Sequence, residues 1–89
     1  KIGEEFDGIV SSVTNFGMFV QLENTVEGLI HFKNMTDDFY YFDESNYSIV
    51  GERTKKTYRL GDEIRIKVIG ADVGKKNIDF ALAEVDTED

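Results

Sequence analysis

The sequence contains no cysteine, no proline and no tryptophan, and only one histidine. Without cysteine there is no disulfide and no thiolate metal site to help it fold, and a single imidazole cannot build a zinc centre that needs several. With proline missing, turns must be read from asparagine and glycine. No apolar run approaches the roughly 20 residues of a membrane-spanning helix, and the first residues carry no leader pattern, so the cytosol is the expected compartment. Basic residues are also short: 10 Lys and Arg stand against 18 Asp and Glu, a formal charge of −8. On its own that balance argues against nucleic acid as a partner, because phosphate is repelled by a net-negative body. The 89 residues suffice for one domain with one small core.

The charge is grouped rather than spread. Asp37, Asp38, Asp43 and Glu44 lie in one stretch, and Glu84, Asp86, Glu88 and Asp89 form an acidic tail over residues 84–89. Those eight acids account for the whole excess, since 10 acids and 10 bases remain. Residues 53–76 hold eight bases against three acids, a local charge of +5. Charge runs of this kind are ordinarily solvated faces.

The hydrophobic period is that of strands almost throughout, with no convincing helical window. Residues 5–13 place Phe6, Gly8 and Val10 on one face, and a slip at Ser11-Ser12 predicts a bulge. Residues 17–22 alternate cleanly, with Met18, Val20 and Leu22 on one side and Phe19 and Gln21 on the other. A short third strand covers 27–32, where Gly28 suggests a close backbone approach. Residues 63–69 turn Ile64, Ile66 and Val68 inward and Arg65 and Lys67 outward, and Gly70 is read as the end of that strand. After a turn at 72–76, residues 77–82 carry Ile78, Phe80 and Leu82 inward. Five short antiparallel strands avoid open edges by closing on themselves. The predicted fold is therefore all-β: a five-stranded antiparallel Greek-key barrel of the OB type, with a long third-to-fourth strand connection over 33–61. A connection of that length is expected to be functional or partly structured. Within it, 47–50 and 57–60 are placed to pair as a small extra hairpin around Gly51-Glu52-Arg53.

Phe19 lies between two residues that need the core, so strand geometry turns its ring outward. Phe16 precedes Gly17 at the strand mouth, and His31 ends the neighbouring strand. Proteins that hold single-stranded nucleic acid stack bases on such rings, at about 1–3 kcal/mol per base. OB-type barrels present these rings on the second and third strands. Lys33, Arg65 and Lys67 are candidate phosphate contacts.

The segments F-D-G-I-V, N-F-G-M-F-V, E-G-L-I-H and G-D-E-I-R-I-K-V resemble the S1 family of RNA-binding OB domains, over nearly the whole chain. The resemblance implies single-stranded RNA as partner and RNA-contacting roles for Phe16, Phe19, His31 and Asp72. Where the family often carries a basic residue before the last strand's first apolar position, this chain has Asn77, with Lys75 and Lys76 just upstream as candidate replacements. The block T-D-D-F-Y-Y-F-D, with I-V-G-E-R-T and Y-R-L-G-D, resembles the C-terminal S1 domain of the ribonuclease R family, RNase II-type 3′-to-5′ exoribonucleases of bacteria. That implies a parent protein that hydrolyses RNA with magnesium in a separate catalytic domain, and partners that include that domain and other RNA-binding domains of the parent. Residues 1–83 then form the S1 domain, binding RNA as a monomer and needing no cofactor of its own.

Nothing in the sequence marks an enzyme site. The lone His31 lacks an evident nucleophile and orienting acid, and no P-loop, GxSxG or HExxH motif appears. The acids at 37–44 lack the spacing of a calcium loop and are read as solvated, with the aromatic run at 39–42 packing back onto the barrel or a neighbouring domain. Two other readings stay open: an S1 repeat of a ribosomal or translation protein, and a protein-docking module built on the aromatic acidic loop.

Overall fold

The computed structural model describes residues 2–23, 25–72 and 77–83, with only the backbone of Asp72 and Asn77. Lys75, Lys76 and the acidic tail therefore lie outside the described residues. Five strands, β1 (Glu5–Thr14), β2 (Gly17–Leu22), β3 (Glu27–His31), β7 (Glu63–Asp72) and β8 (Asn77–Leu82), close into a barrel of order β1-β2-β3-β8-β7. Four seams are antiparallel. The β3–β8 seam is parallel, with Leu29 opposite Asp79, because the chain enters β8 from the same end of the barrel as it enters β3. Among the described residues no helix is long and apolar enough to cross a membrane.

Alternation is what closes the barrel. Met18 and Val20 on β2, Ile30 on β3, Ile66 on β7 and Phe80 on β8 are fully buried and meet at the barrel axis. Phe80 reaches the centre because residue 28 is glycine: a Cβ there would meet the Phe80 ring at 2.7 Å. The β1–β2 register shifts between Val10 and Ser12, at the slip seen in the sequence, and lets β1 serve both β2 and β7. A second shift lies between Val68 and Gly70, so Gly70 marks a bulge rather than an end, and β7 runs on to Asp72. Glycine inside a strand pattern has either meaning, and pairing with β8 decides it.

The long connection is ordered. A one-turn 3-10 helix (Phe32–Asn34) leads to a three-stranded sheet of β4 (Tyr40–Asp43), β5 (Ser48–Gly51) and β6 (Thr57–Arg59). The β5–β6 pair is the predicted hairpin, with Ile49 opposite Tyr58. The third strand, β4, goes beyond that hairpin. Its side chains split by parity: Tyr40 and Phe42 pack against the core, while Phe39 just before it and Tyr41 face solvent. Met35 and Ile49 are fully buried in the same core as the barrel residues. Each such burial stabilises the fold by about 1.5–3 kcal/mol.

The acidic stretch is not uniformly solvated. Asp38 is buried, and its carboxylate accepts hydrogen bonds from the backbone N–H of Phe39 (2.7 Å), Arg53 (3.0 Å) and Thr54 (2.8 Å) and from the Thr54 hydroxyl (2.8 Å). These bonds tie the 51–56 turn to the start of β4. Gly51 makes room for them, since a Cβ there would lie 2.6 Å from Asp38 Oδ2. Asp37 beside it is exposed and accepts from Tyr40 Oη and Lys56 Nζ, both at 2.9 Å. Burial alone would raise the Asp38 carboxyl, but the bonds from Thr54, Arg53 and Phe39 outweigh it and hold the group well below the usual carboxylate range.

Two measurements test this anchor. Asp38→Asn replaces an ionised acceptor with a group that repels at least one donor N–H, and is expected to lower Tm by roughly 5–10 °C. The sign of the pH effect follows from the lowered folded-state value: the contribution is complete above the unfolded carboxylate range, about 4, and is lost as pH falls toward the folded-state value. Wild-type thermal stability should therefore drop more steeply below about pH 4 than that of Asp38→Asn. Parallel acid titrations would refute the anchoring role.

Candidate nucleic-acid interface

The aromatic site is assembled by the turn between β1 and β2. Thr14 Oγ1 accepts from the N–H of Phe16 (3.2 Å) and Gly17 (3.1 Å) and donates to the Gly17 carbonyl (2.9 Å). Across the turn, Phe32 N–H donates to the Phe16 carbonyl at 3.1 Å, fastening the turn to the end of β3. Gly17 sits opposite His31, and any Cβ at 17 would strike the Ile30 carbonyl oxygen. Glycine thus lets the two strands close up and brings the Phe16 and His31 rings to a centroid separation of 6.1 Å, tilted by 39°. Phe16 remains 47% exposed.

Phe19 lies two residues further along β2, opposite Leu29. Its parity is opposite to that of buried Met18 and Val20, so it stands on the outer face with Leu29 and His31. Asp79, exposed on β8, continues the row beyond Leu29. Lys33 follows, exposed, on the 3-10 turn, with no ion pair to any described residue. The structure therefore brings Phe16, Phe19, His31 and Lys33 together on one side of the barrel.

Arg65 and Lys67 are not part of that group. Both lie on β7, opposite Asp7 and Glu5 of β1. Phe19 pairs instead with Ser12 of β1, five residues beyond Asp7, or on the order of 17 Å along the strand. The Arg65 guanidinium is moreover engaged by Asp7 (3.1 Å) and Glu5 (3.5 Å). Arg53 and Lys56 are likewise held by Asp38 and Asp37, so three of the eight bases in the +5 segment are taken up by neighbouring carboxylates. An open cleft beside Arg65 is lined by Glu5, Asp7, Glu23 and Glu63, a surface that repels phosphate. Asp72 ends β7 opposite Asn77, and Lys75 and Lys76 fall in the undescribed segment 73–76.

Leu29, Asp79 and the Thr14 hydroxyl join the site without being candidates from the sequence. The parity of E-G-L-I-H places Leu29 with His31, and T-N-F-G carries the hydroxyl that shapes the turn; Asp79 is revealed only by the parallel seam. Among the described residues no group of three or more His, Cys, Asp or Glu stands together as a metal site.

The family profile described as S1 RNA binding domain matches residues 1–83. Ribonuclease R of Ureaplasma parvum is 49% identical over 81 residues, covering 91% of this chain and 11% of that protein. Ribonuclease R of Escherichia coli is 39% identical over 83 residues, covering 92% and 10%. The solved apo ribonuclease R of Mycoplasma genitalium superposes with a TM-score of 0.85 at 32% identity, over 92% of this chain and 13% of that one. The chain thus spans about a tenth of the length of the curated relatives it matches. With the barrel, the outward aromatic group and these matches in agreement, the chain belongs to the S1 RNA-binding domain family and is homologous to the S1 domain of bacterial ribonuclease R.

Proposed function

We propose that this domain holds single-stranded RNA on the outer face of β2 and β3 and helps feed it to the catalytic domain of a ribonuclease R-type 3′-to-5′ exoribonuclease, in the cytoplasm and as a monomer. The observation that carries the reading is the exposed Phe16 ring paired with half-buried His31, beside outward, half-buried Phe19. Flat rings fixed on a rigid strand accept any base, so binding is sequence-tolerant. The solved complex of Mycoplasma genitalium ribonuclease R with ribose-methylated single-stranded RNA supports the choice of ligand. Hydrolysis and its magnesium belong, in this reading, to the catalytic domain of the parent, and this domain binds without cleaving.

In the bound state Phe19 and Phe16 stack on bases, and His31 stacks or hydrogen-bonds to a base or ribose. Lys33 meets phosphate, joined by Lys75 or Lys76, with Asp72 bonding a sugar hydroxyl or orienting a basic side chain. Lys67 reaches the RNA only if the strand wraps toward β7, and Arg65 only by giving up Asp7 and Glu5.

An NMR titration with a short oligonucleotide should move the resonances of Phe16, Phe19, Leu29 and His31, and Phe19→Ala should weaken binding at least roughly fivefold. Shifts confined to other surfaces would remove the face from the mechanism. The salt dependence separates stacking from charge. Each phosphate contact on a single strand contributes about −0.7 to the slope of log K against log salt, so two or three contacts give roughly −1.4 to −2. Lys33→Ala should reduce that slope by one contact, whereas Arg65→Gln should leave it unchanged.

A further inference from the structure

The small sheet carries a second pair of outward rings. Phe39 is 73% exposed and Tyr41 46%, an unusual cost for large aromatic side chains on an ordered strand. They are fixed, not loose. Tyr41 pairs with Val50 in the sheet, and the Phe39 carbonyl accepts from Glu52 N–H at 2.7 Å. Tyr40 and Phe42 between and beyond them are packed on the core, so strand parity holds Phe39 and Tyr41 in solvent on one face.

The 51–56 turn lies alongside. It is closed by Gly51 N–H to the Lys56 carbonyl (2.8 Å) and Lys55 N–H to the Gly51 carbonyl (3.0 Å), with Lys55 in the left-handed region at φ 64°. Lys55 has no ion pair to a described residue, and the Arg53 side chain stays 70% exposed although its Nε is 3.8 Å from Asp38. Asp37 and Asp38 are satisfied by Lys56, Tyr40 and the turn backbone, which leaves Glu52 as the exposed acid of the turn.

We propose that Phe39 and Tyr41 form a second base-stacking platform for single-stranded RNA, engaged only by a strand long enough to continue past the Phe16–His31 pair. This rests on the RNA-binding reading of the barrel face. Two observations favour RNA over a protein as occupant. The rings are flanked by the exposed charged residues Glu52, Arg53 and Lys55 of the turn, whereas the centre of a protein interface is depleted of lysine and glutamate. The platform is also within reach of a strand bound at the first face: Phe39 follows His31 by eight positions, at most roughly 29 Å of chain, and Lys33 lies between them in the sequence. Because residues 37–44 and 51–56 carry five acids against three bases, phosphate is not attracted there, so affinity at this platform comes from stacking and adds little to the salt slope.

The test compares two RNAs on the 89-residue chain, whose closed barrel and shared core make it a folding unit. One is about four nucleotides long, the other about twelve, within the span one OB barrel accommodates. Phe39→Ala/Tyr41→Ala should weaken the long RNA at least roughly fivefold and leave the short one unchanged, while Phe19→Ala weakens both. Since the chain has no tryptophan, Phe39→Trp supplies a single indole, excited apart from the four tyrosines, that retains the platform; its emission should be quenched by the long RNA alone. Equal affinity of the double variant and wild type for the long RNA, with no quenching of the introduced indole, overturns the second platform while leaving the barrel face intact. Loss of affinity for neither RNA in Phe19→Ala overturns the barrel-face reading instead.

Discussion

Met18 and Val20 are sealed in the barrel axis, and strand parity then gives Phe19 a single place to go. Most of the binding face follows from that commitment. The same β2 residues set the register with β3, the register sets Gly17 against His31, and the missing Cβ at Gly17 lets the Phe16 turn close on His31. An apolar core thus positions an exposed aromatic site without any polar interaction by the rings themselves. The Thr14 hydroxyl, which satisfies three backbone groups of the turn, fixes Phe16, the aromatic member of the site that lies outside a strand.

Electrostatics divides the molecule differently from the raw composition. A net charge of −8 describes no particular surface. Arg65 faces Asp7 and Glu5 across the β1–β7 seam, Lys56 faces Asp37, and Asp38 is consumed by backbone donors. Many of the charges are therefore paired where they stand, and the aromatic face is left with Lys33 and the exposed Asp79. Under the proposed reading, such a face attracts RNA weakly from a distance and holds it by contact.

Strands with polar–apolar alternation are legible in the sequence: β2, β8, most of β7, the bulge near Ser11 and the β5–β6 pair. Strand β4 is not, because Phe39-Tyr40-Tyr41-Phe42 presents no polarity contrast from which a period could be read. The end of β7 is misplaced from sequence because Gly70 signals a stop and a bulge equally. Asp38 reads as a solvated acid since its partners lie 15 and 16 residues away, although Gly51 and Thr54 in G-E-R-T are the residue types that such a carboxylate needs. Of the candidate site, Phe16, Phe19, His31 and Lys33 can be grouped from parity and neighbourhood alone. The separation of Arg65 and Lys67 cannot, because it depends on which strand β7 meets, and Arg65 meets Asp7 from 58 residues away.

Met35 and Ile49 belong to the inserted sheet by sequence and to the barrel by packing. The insertion is consequently not an ornament added to a complete OB barrel. Shortening it to a plain linker would uncover one end of the core, and unfolding it locally would expose the same end. The small sheet and the barrel share one hydrophobic core. The core that Met35 and Ile49 complete also contains Met18 and Ile30, the neighbours in sequence of Phe19 and His31, so the insertion supports the strands that carry the aromatic face.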